Sequence, residues 1–281
     1  MAKVFVIDLS RCVGCYDCQI GCKDEHVEND WSPYAKPQPD TGQFWMKIVE
    51  MERGSRPKVV ITYIPLLCQH CDNAPCMLVC APKAIYKRAD GLVIIDPATC
   101  NGCRVCIDAC PYGVIYFNTE LKIAQKCTGC AHMLDGVSLG EGQPKMPRCV
   151  DNCPADAIKF GEYEELKDLI AKAEILHPEY GTKPRVYYIN LPKPFVAGDV
   201  YDPENDECIQ GATVNAVDIS TGIVSATDTT DEFGDFWLKN LEWNKMYRVT
   251  IEHPKYHPKI IGVVATNKDV HLGSIPLYKK P

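Results

Sequence analysis

Sixteen of the seventeen cysteines lie before residue 154 of 281, most of them in tight Cys-x2-Cys units. That clustering constrains the fold more than any other feature, because so many thiols in half a chain must be engaged by something. A secreted disulfide scaffold spreads irregularly spaced cysteines over a short chain, whereas these recur as compact units in a long one. Metal ligation fits better.

The first group is Cys12-x2-Cys15-x2-Cys18-x3-Cys22, and the third is Cys100-x2-Cys103-x2-Cys106-x3-Cys110 followed by Pro111. Both match the bacterial ferredoxin run that holds [4Fe-4S] cubes. The second, Cys68-x2-Cys71-x4-Cys76-x3-Cys80, carries a two-residue insertion; the fourth starts as Cys127-x2-Cys130 and resumes at Cys149-x3-Cys153 before Pro154. Three cysteines at this spacing can wrap one cube, because the loop turns its thiolates and backbone N–H groups toward one point. The fourth lies on the following helical turn and points away, so in two-cluster ferredoxins it serves the other cube. Four motifs therefore imply two interlocked pairs. Zinc competes, since Cys-x2-Cys pairs also build tetrahedral zinc sites. Zinc ribbons use two cysteines per knuckle, however, while the first three motifs each offer a triplet and an outlying fourth. A catalytic redox site would need a single pair.

Internal duplication supports the ferredoxin pattern independently. Val6-Ile7-Asp8 precedes Cys12 as Ile94-Ile95-Asp96 precedes Cys100, and Ala84-Ile85, Val114-Ile115 and Ala157-Ile158 stand at one offset after Cys80, Cys110 and Cys153. Each copy is a strand–loop–helix unit whose apolar pair packs beneath a cluster and keeps water from the sulfurs, which helps to set its potential. Arg11, Arg104, Lys126 and Arg148 adjoin ligand cysteines; each either offsets cluster charge or is a solvated surface charge. His26, His70 and His132 read as side chains that support the ligand cysteines or pack beside them and not as ligands, and Trp31, Trp45, Tyr16 and Tyr112 as packing around the cofactors, since the cysteines already saturate four cubes.

The motif order, with Cys68-Gln69-His70-Cys71-Asp72-Asn73-Ala74-Pro75-Cys76 as the second and Gly181-Thr182-Lys183-Pro184-Arg185-Val186-Tyr187-Tyr188 closing the domain, resembles the four-cluster iron–sulfur small subunits of the molybdopterin oxidoreductases. The resemblance covers about two-thirds of the chain. It implies that Cys12, Cys15, Cys18 and Cys153 hold one cube and Cys22, Cys127, Cys130 and Cys149 another. Cys68, Cys71, Cys76 and Cys110 would hold a third, and Cys80, Cys100, Cys103 and Cys106 the last. It also implies a partner, a large catalytic subunit carrying a molybdenum or tungsten bis-pterin guanine dinucleotide. A narrower likeness, at Gly21 to His26, Trp31, Trp45-Met46, Glu52-Arg53-Gly54 and Lys126 to His132, is to transhydroxylase small subunits whose partners handle polyhydroxylated aromatics. Those subunits have a third motif that has lost ligands and carry three clusters, whereas Cys100, Cys103, Cys106 and Cys110 are all present here. Because transhydroxylation is redox-neutral and needs no exit for electrons, the complete set makes net reduction or hydroxylation of an aromatic equally consistent.

Beyond the motifs, Leu166, Leu169, Ile170 and Ala173 lie at the spacing of one helix face between Glu162 and about Leu176. Pro192 and Pro194 mark a linker. From Phe195 onward, alternating runs such as Ala212–Val217 and Tyr247–Ile251 between turn residues predict a small β-sandwich or barrel. Gly211-Ala212, Thr221-Gly222 and Asp231-x2-Gly234-x-Phe236 resemble carboxypeptidase-regulatory or Cna-B-like domains. The expected fold is α+β: duplicated ferredoxin-like modules over 1–194, then an all-β domain over 195–281. Cys208 reads as an ordinary buried or half-buried cysteine.

A net charge of −7 argues against nucleic acid. No stretch approaches the roughly 18 to 20 apolar residues that span a bilayer, so no membrane span is expected. Met1-Ala2-Lys3-Val4 leads straight into a strand-like run, and the transhydroxylase-like features point to the cytoplasm, or to export alongside a partner that bears the signal. No nucleophile–base pair, phosphate loop or pterin site is visible, so the chain reads as a non-catalytic electron-transfer subunit working in anaerobic metabolism, with room for a further electron donor or acceptor. The alternatives are a subunit of an anaerobic respiratory reductase of the dimethyl sulfoxide, polysulfide or arsenate type, a self-contained iron–sulfur enzyme with an open iron, and a protein that uses clusters only as staples.

Overall fold

The computed structural model describes residues 2–137 and 145–281 and divides into two compact units, Met1–Glu50 with Tyr63–Leu191, and Met51–Thr62 with Pro192–Pro281. In chain order the first half runs β1 (Lys3–Asp8), α1 (Asp17–His26), β2 (Met46–Ser55), β3 (Lys58–Leu67), α2 (Pro75–Leu78), β4 (Ile85–Lys87) and β5 (Val93–Ile95). It continues with α3 (Val105–Ala109), β6 (Tyr116–Asn118), β7 (Ile123–Gln125), α4 (Ala131–Leu134), α5 (Arg148–Asp151), β8 (Ile158–Glu162), α6 (Tyr163–Ile170) and β9 (Val186–Ile189).

The strand pairings follow the duplication. The strand before the first motif, β1, pairs antiparallel with β8, which follows the fourth; β4 after the second motif pairs with β5 before the third, and β6 with β7 likewise. β9 adds a parallel strand to β1. The apolar residues noted in the sequence are buried here, with Ile7, Ile94, Ile85, Val114 and Ile158 each less than 5% exposed; each such side chain contributes about 1.5–3 kcal/mol by leaving water.

α6 is shorter than its periodicity predicts. It begins at a reciprocal cap, with the Glu162 N–H donating to Glu165 at 2.8 Å. It ends at Ile170 because Glu174 turns into a bridge with Tyr188, their N–H and C=O groups pairing at 2.7 and 2.8 Å.

The second unit contains two four-stranded sheets. β10 (Val196–Asp202) pairs with β11 (Glu207–Cys208), β14 (Asp235–Leu238) and β17 (Val270–Pro276); the other sheet runs β13 (Val224–Thr229), β12 (Thr213–Asp218), β15 (Met246–His253), β16 (Tyr256–Ala265). Val200, Phe236 and Ile275 from one sheet and Val214, Val249 and Ile251 from the other share one apolar core. Cys208, expected to be at least half-buried, is exposed, because β11 is a two-residue edge strand. A single boundary after residue 194 also differs from the division in space. Arg53 donates to both carboxylate oxygens of Asp269, at 3.0 and 2.6 Å, and Lys58 pairs with Asp235, ties that draw Met51–Thr62 into the second unit and that no linear reading shows. Among the described residues no helix is long and apolar enough to cross a membrane.

Candidate metal centres

Every cysteine is a free thiol, and the motif cysteines gather into four sets that cross motif boundaries. Cys12, Cys15 and Cys18 line one cavity with Cys153; Cys68, Cys71 and Cys76 line a second with Cys110; Cys100, Cys103 and Cys106 line a third with Cys80. Cys22 neighbours Cys127, Cys130 and Cys149, all of them buried. In each loop a short turn after the first thiol reverses the chain. The residue before the second cysteine is left-handed in every motif: Gly14 at φ 67°, His70 at 45°, Gly102 at 71° and Gly129 at 64°. At Gly102 a Cβ would lie 2.1 Å from the Lys122 carbonyl, so only glycine fits.

These turns aim backbone donors at sulfur. His70 N–H approaches Cys68 Sγ at 3.5 Å, Gly129 N–H approaches Cys127 Sγ at 3.3 Å, Arg148 N–H approaches Cys130 Sγ at 3.5 Å and Ala157 N–H approaches Cys153 Sγ at 3.3 Å. The apolar pairs of the repeat line the same cavities: Ala157-Ile158 beside Cys153, Val114-Ile115 beside Cys110, and Ala84-Ile85 beside Cys80.

Burial, followed by the neighbouring thiolates of the same set, pushes Cys18 up to about 12. Burial also dominates at Cys130 and Cys76, both near 12, and at Cys71, Cys106 and Cys127, all near 11. Such thiols give up protons readily only to a cationic centre. Thiol-only donors, converging N–H groups and dry walls together suit an iron–sulfur core. Three of the sets line cavities, and among the described residues no three His, Cys, Asp or Glu side chains stand close enough to hold a single ion.

The four cations beside the ligands have different settings. Arg11 is half-exposed and pairs with Asp156; Arg104 lies 3.8 Å over the Phe117 ring; Arg148 binds Glu25 and Asp151. Lys126 is buried, donating to the carbonyls of Val93 and Cys127. Burial opposes its charge, but Cys68, Cys76 and Cys127 outweigh that and hold its ammonium above the ordinary value.

Of the two roles expected for the histidines, support of the ligands and packing, His26 and His70 take the first. Nε2 of His26 is 3.8 Å from Cys130 Sγ, and Nε2 of His70 is 3.9 Å from Cys127 Sγ. His132 meets Glu25 at 3.0 Å and stacks on Trp31. Glu25, which drew no attention as a single residue in the sequence, joins His132 to Arg148. Trp45 packs on His26, Tyr16 donates to Glu50 and the Tyr112 hydroxyl meets that of Thr182.

Crossed thiol sets on paired short strands define a ferredoxin-type electron carrier, and residues 59–163 match the 4Fe-4S dicluster domain family, while 196–274 match the carboxypeptidase regulatory-like domain. The chain belongs to the iron–sulfur electron-transfer subunits of the molybdopterin oxidoreductases, which act beside a catalytic partner. It is 40% identical to the pyrogallol hydroxytransferase small subunit of Pelobacter acidigallici over 97% of this chain and 98% of that one. It is 35% identical to a tetrathionate reductase subunit of Salmonella typhimurium, over 68% of this chain and 73% of that one. Against the arsenate respiratory reductase iron–sulfur subunit of Shewanella sp. it is 32% identical, over 66% and 94%.

Proposed function

We propose that the chain holds four [4Fe-4S] clusters on its sixteen motif cysteines, in the four crossed sets described above, and relays single electrons to or from a molybdenum or tungsten bis-pterin catalytic subunit. The observation that carries this is the crossing: each motif lends its last cysteine to a set built by the first three of another, as in two-cluster ferredoxins. The clusters, when bound, supply one-electron redox chemistry. The protein excludes water with Ile158, Ile115 and Ile85, directs N–H groups at the sulfurs, and provides buried positive charge at Lys126.

For the partner's substrate we infer a polyhydroxylated aromatic. The support is the alignment with the pyrogallol hydroxytransferase small subunit, which runs through both units, where those with the tetrathionate and arsenate reductase subunits span 68% and 66% of this chain. The complete third motif favours a second reading of equal mechanism, an electron wire that exits to an external donor or acceptor, so that the partner reduces or hydroxylates its substrate. The test is anaerobic isolation of the complex from its native source, metal analysis of the co-purifying large subunit, and assay with pyrogallol-type aromatics against tetrathionate and arsenate. Turnover of the aromatic, with molybdenum or tungsten in the large subunit, is expected; turnover of only the inorganic oxyanions overturns the substrate assignment.

A further inference from the structure

His70 occupies a position that the other three cysteine loops give to glycine. Gly14, Gly102 and Gly129 take the left-handed turn without cost to a side chain, whereas His70 adopts it at φ 45° with a full imidazole. That ring is completely buried. Its Nδ1 accepts the Val93 backbone N–H at 3.0 Å. A backbone amide can only donate, so Nδ1 carries no proton, the ring is neutral, and its one N–H is at Nε2. Nε2 faces Cys127 Sγ at 3.9 Å, while the backbone N–H of the same residue approaches Cys68 Sγ at 3.5 Å.

His70 therefore touches two thiol sets at once. The first and fourth motifs are joined through α1, which carries both Cys18 and Cys22, and the second and third through Cys76–Cys80 and Cys106–Cys110. His70 belongs to the second motif and reaches the fourth.

We propose that His70 is a positioning residue at the joint between the two cluster pairs, a fixed Nε2–H donor to the Cys127 thiolate that raises the reduction potential of the cluster on Cys22, Cys127, Cys130 and Cys149. This rests on the cluster assignment above. A hydrogen bond to a ligand sulfur is stronger when the cluster has gained an electron, so it favours the reduced state. One electron arrives and no proton moves. In this left-handed conformation the imidazole lies between the Val93 N–H and Cys127 Sγ.

The test uses the anaerobically isolated complex with His70→Leu and His70→Gln in the full chain. Iron and labile sulfide are counted first, which checks the cluster assignment by itself, and EPR spectra are then followed through a potentiometric titration. We expect unchanged iron, one of the four midpoints moved to more negative potential in His70→Leu, and recovery of most of that shift in His70→Gln, whose amide still donates. Unchanged iron with all four midpoints unmoved overturns the proposal and leaves the assignment standing; an unsubstituted complex without iron overturns both. Should His70→Leu fail to assemble, pulsed EPR on complex labelled with 15N-histidine provides the second measurement. Two histidine nitrogens, from His70 and His26, should couple to one reduced cluster, with one of them lost in His70→Gln. A spectrum without histidine nitrogen, or one that His70→Gln leaves unchanged, overturns the proposal.

Discussion

Cys80, the last thiol of the second motif, lines a cavity with Cys103 of the third and not with Cys68, Cys71 and Cys76, the thiols that precede it in the chain. This exchange has a direct spectroscopic consequence. Cys80→Ser and Cys103→Ser should alter the same reduced-state EPR signal, and Cys110→Ser the one that Cys68→Ser alters. Each substitution should cost up to about four of about sixteen irons. Cys80→Ser and Cys68→Ser acting on one signal would contradict the crossed sets.

Glu25 anchors the surroundings of Cys130 through His132 and Arg148. Burial alone would raise its carboxyl, but hydrogen bonds from those two partners, aided by the Arg148 charge, hold it below the ordinary value. A depressed folded value means that the stabilisation is present above the unfolded range of about 4.3 and is lost as pH falls through the lower folded one. Glu25→Gln should therefore cost about 1–3 kcal/mol at neutral pH, read as a lower midpoint of anaerobic thermal unfolding. The difference from the native chain should stay constant from pH 6 to 8, and a gap that widens on acidification would contradict this.

Much of the cluster region could be read from spacing, because thiol loops must place three sulfurs and a left-handed turn within a few residues. The β-sandwich was also legible: the alternating runs Ala212–Val217 and Tyr247–Ile251 fall in β12 and β15, whose buried residues alternate along the strand. Contacts between distant residues were not. Arg53 and Asp269 are 216 positions apart, and no local pattern announces such a pair. The helix after Glu162 is shorter than its amphipathic stripe suggests, because the stripe continues toward the point where Glu174 leaves for Tyr188. His70 did leave a signal, as the one non-glycine in a position that is glycine in three of the four loops. It emerges only when the four motifs are aligned on their second cysteine.

Lys126 provides buried positive charge beside two thiol sets, Cys68 and Cys76 on one side and Cys127 on the other. Lys126→Met, close in shape but uncharged, should move two of the four midpoints to more negative potential, on the order of tens of millivolts each, where about 59 mV is a factor of ten for one electron. A potentiometric EPR titration distinguishes this from the single shift expected on loss of the His70 donor. Four unmoved midpoints would mean that the ammonium does not act on the clusters.

Arg53 and Asp269 are both nearly buried, with side chains 10% and 6% exposed, and the pair is bidentate. Arg53→Ala leaves a carboxylate without its partner and should destabilise the second unit by about 3–5 kcal/mol. Arg53→Lys should recover only part of this, since an ammonium cannot match the planar fork. Thermal unfolding followed by tryptophan fluorescence reads the loss, and a lysine variant equal to the native chain would contradict a role for the bidentate geometry.

Iron, labile sulfide and zinc counted in the anaerobically isolated complex, alongside its dithionite-reduced EPR spectrum, address the central claim most directly. Four cubes predict about sixteen irons and as many sulfides for this chain, no zinc, and paramagnetism from four interacting reduced clusters. About twelve irons would mean that the third motif holds no cluster despite its full set of thiols, and stoichiometric zinc with no paramagnetic signal would end the account altogether.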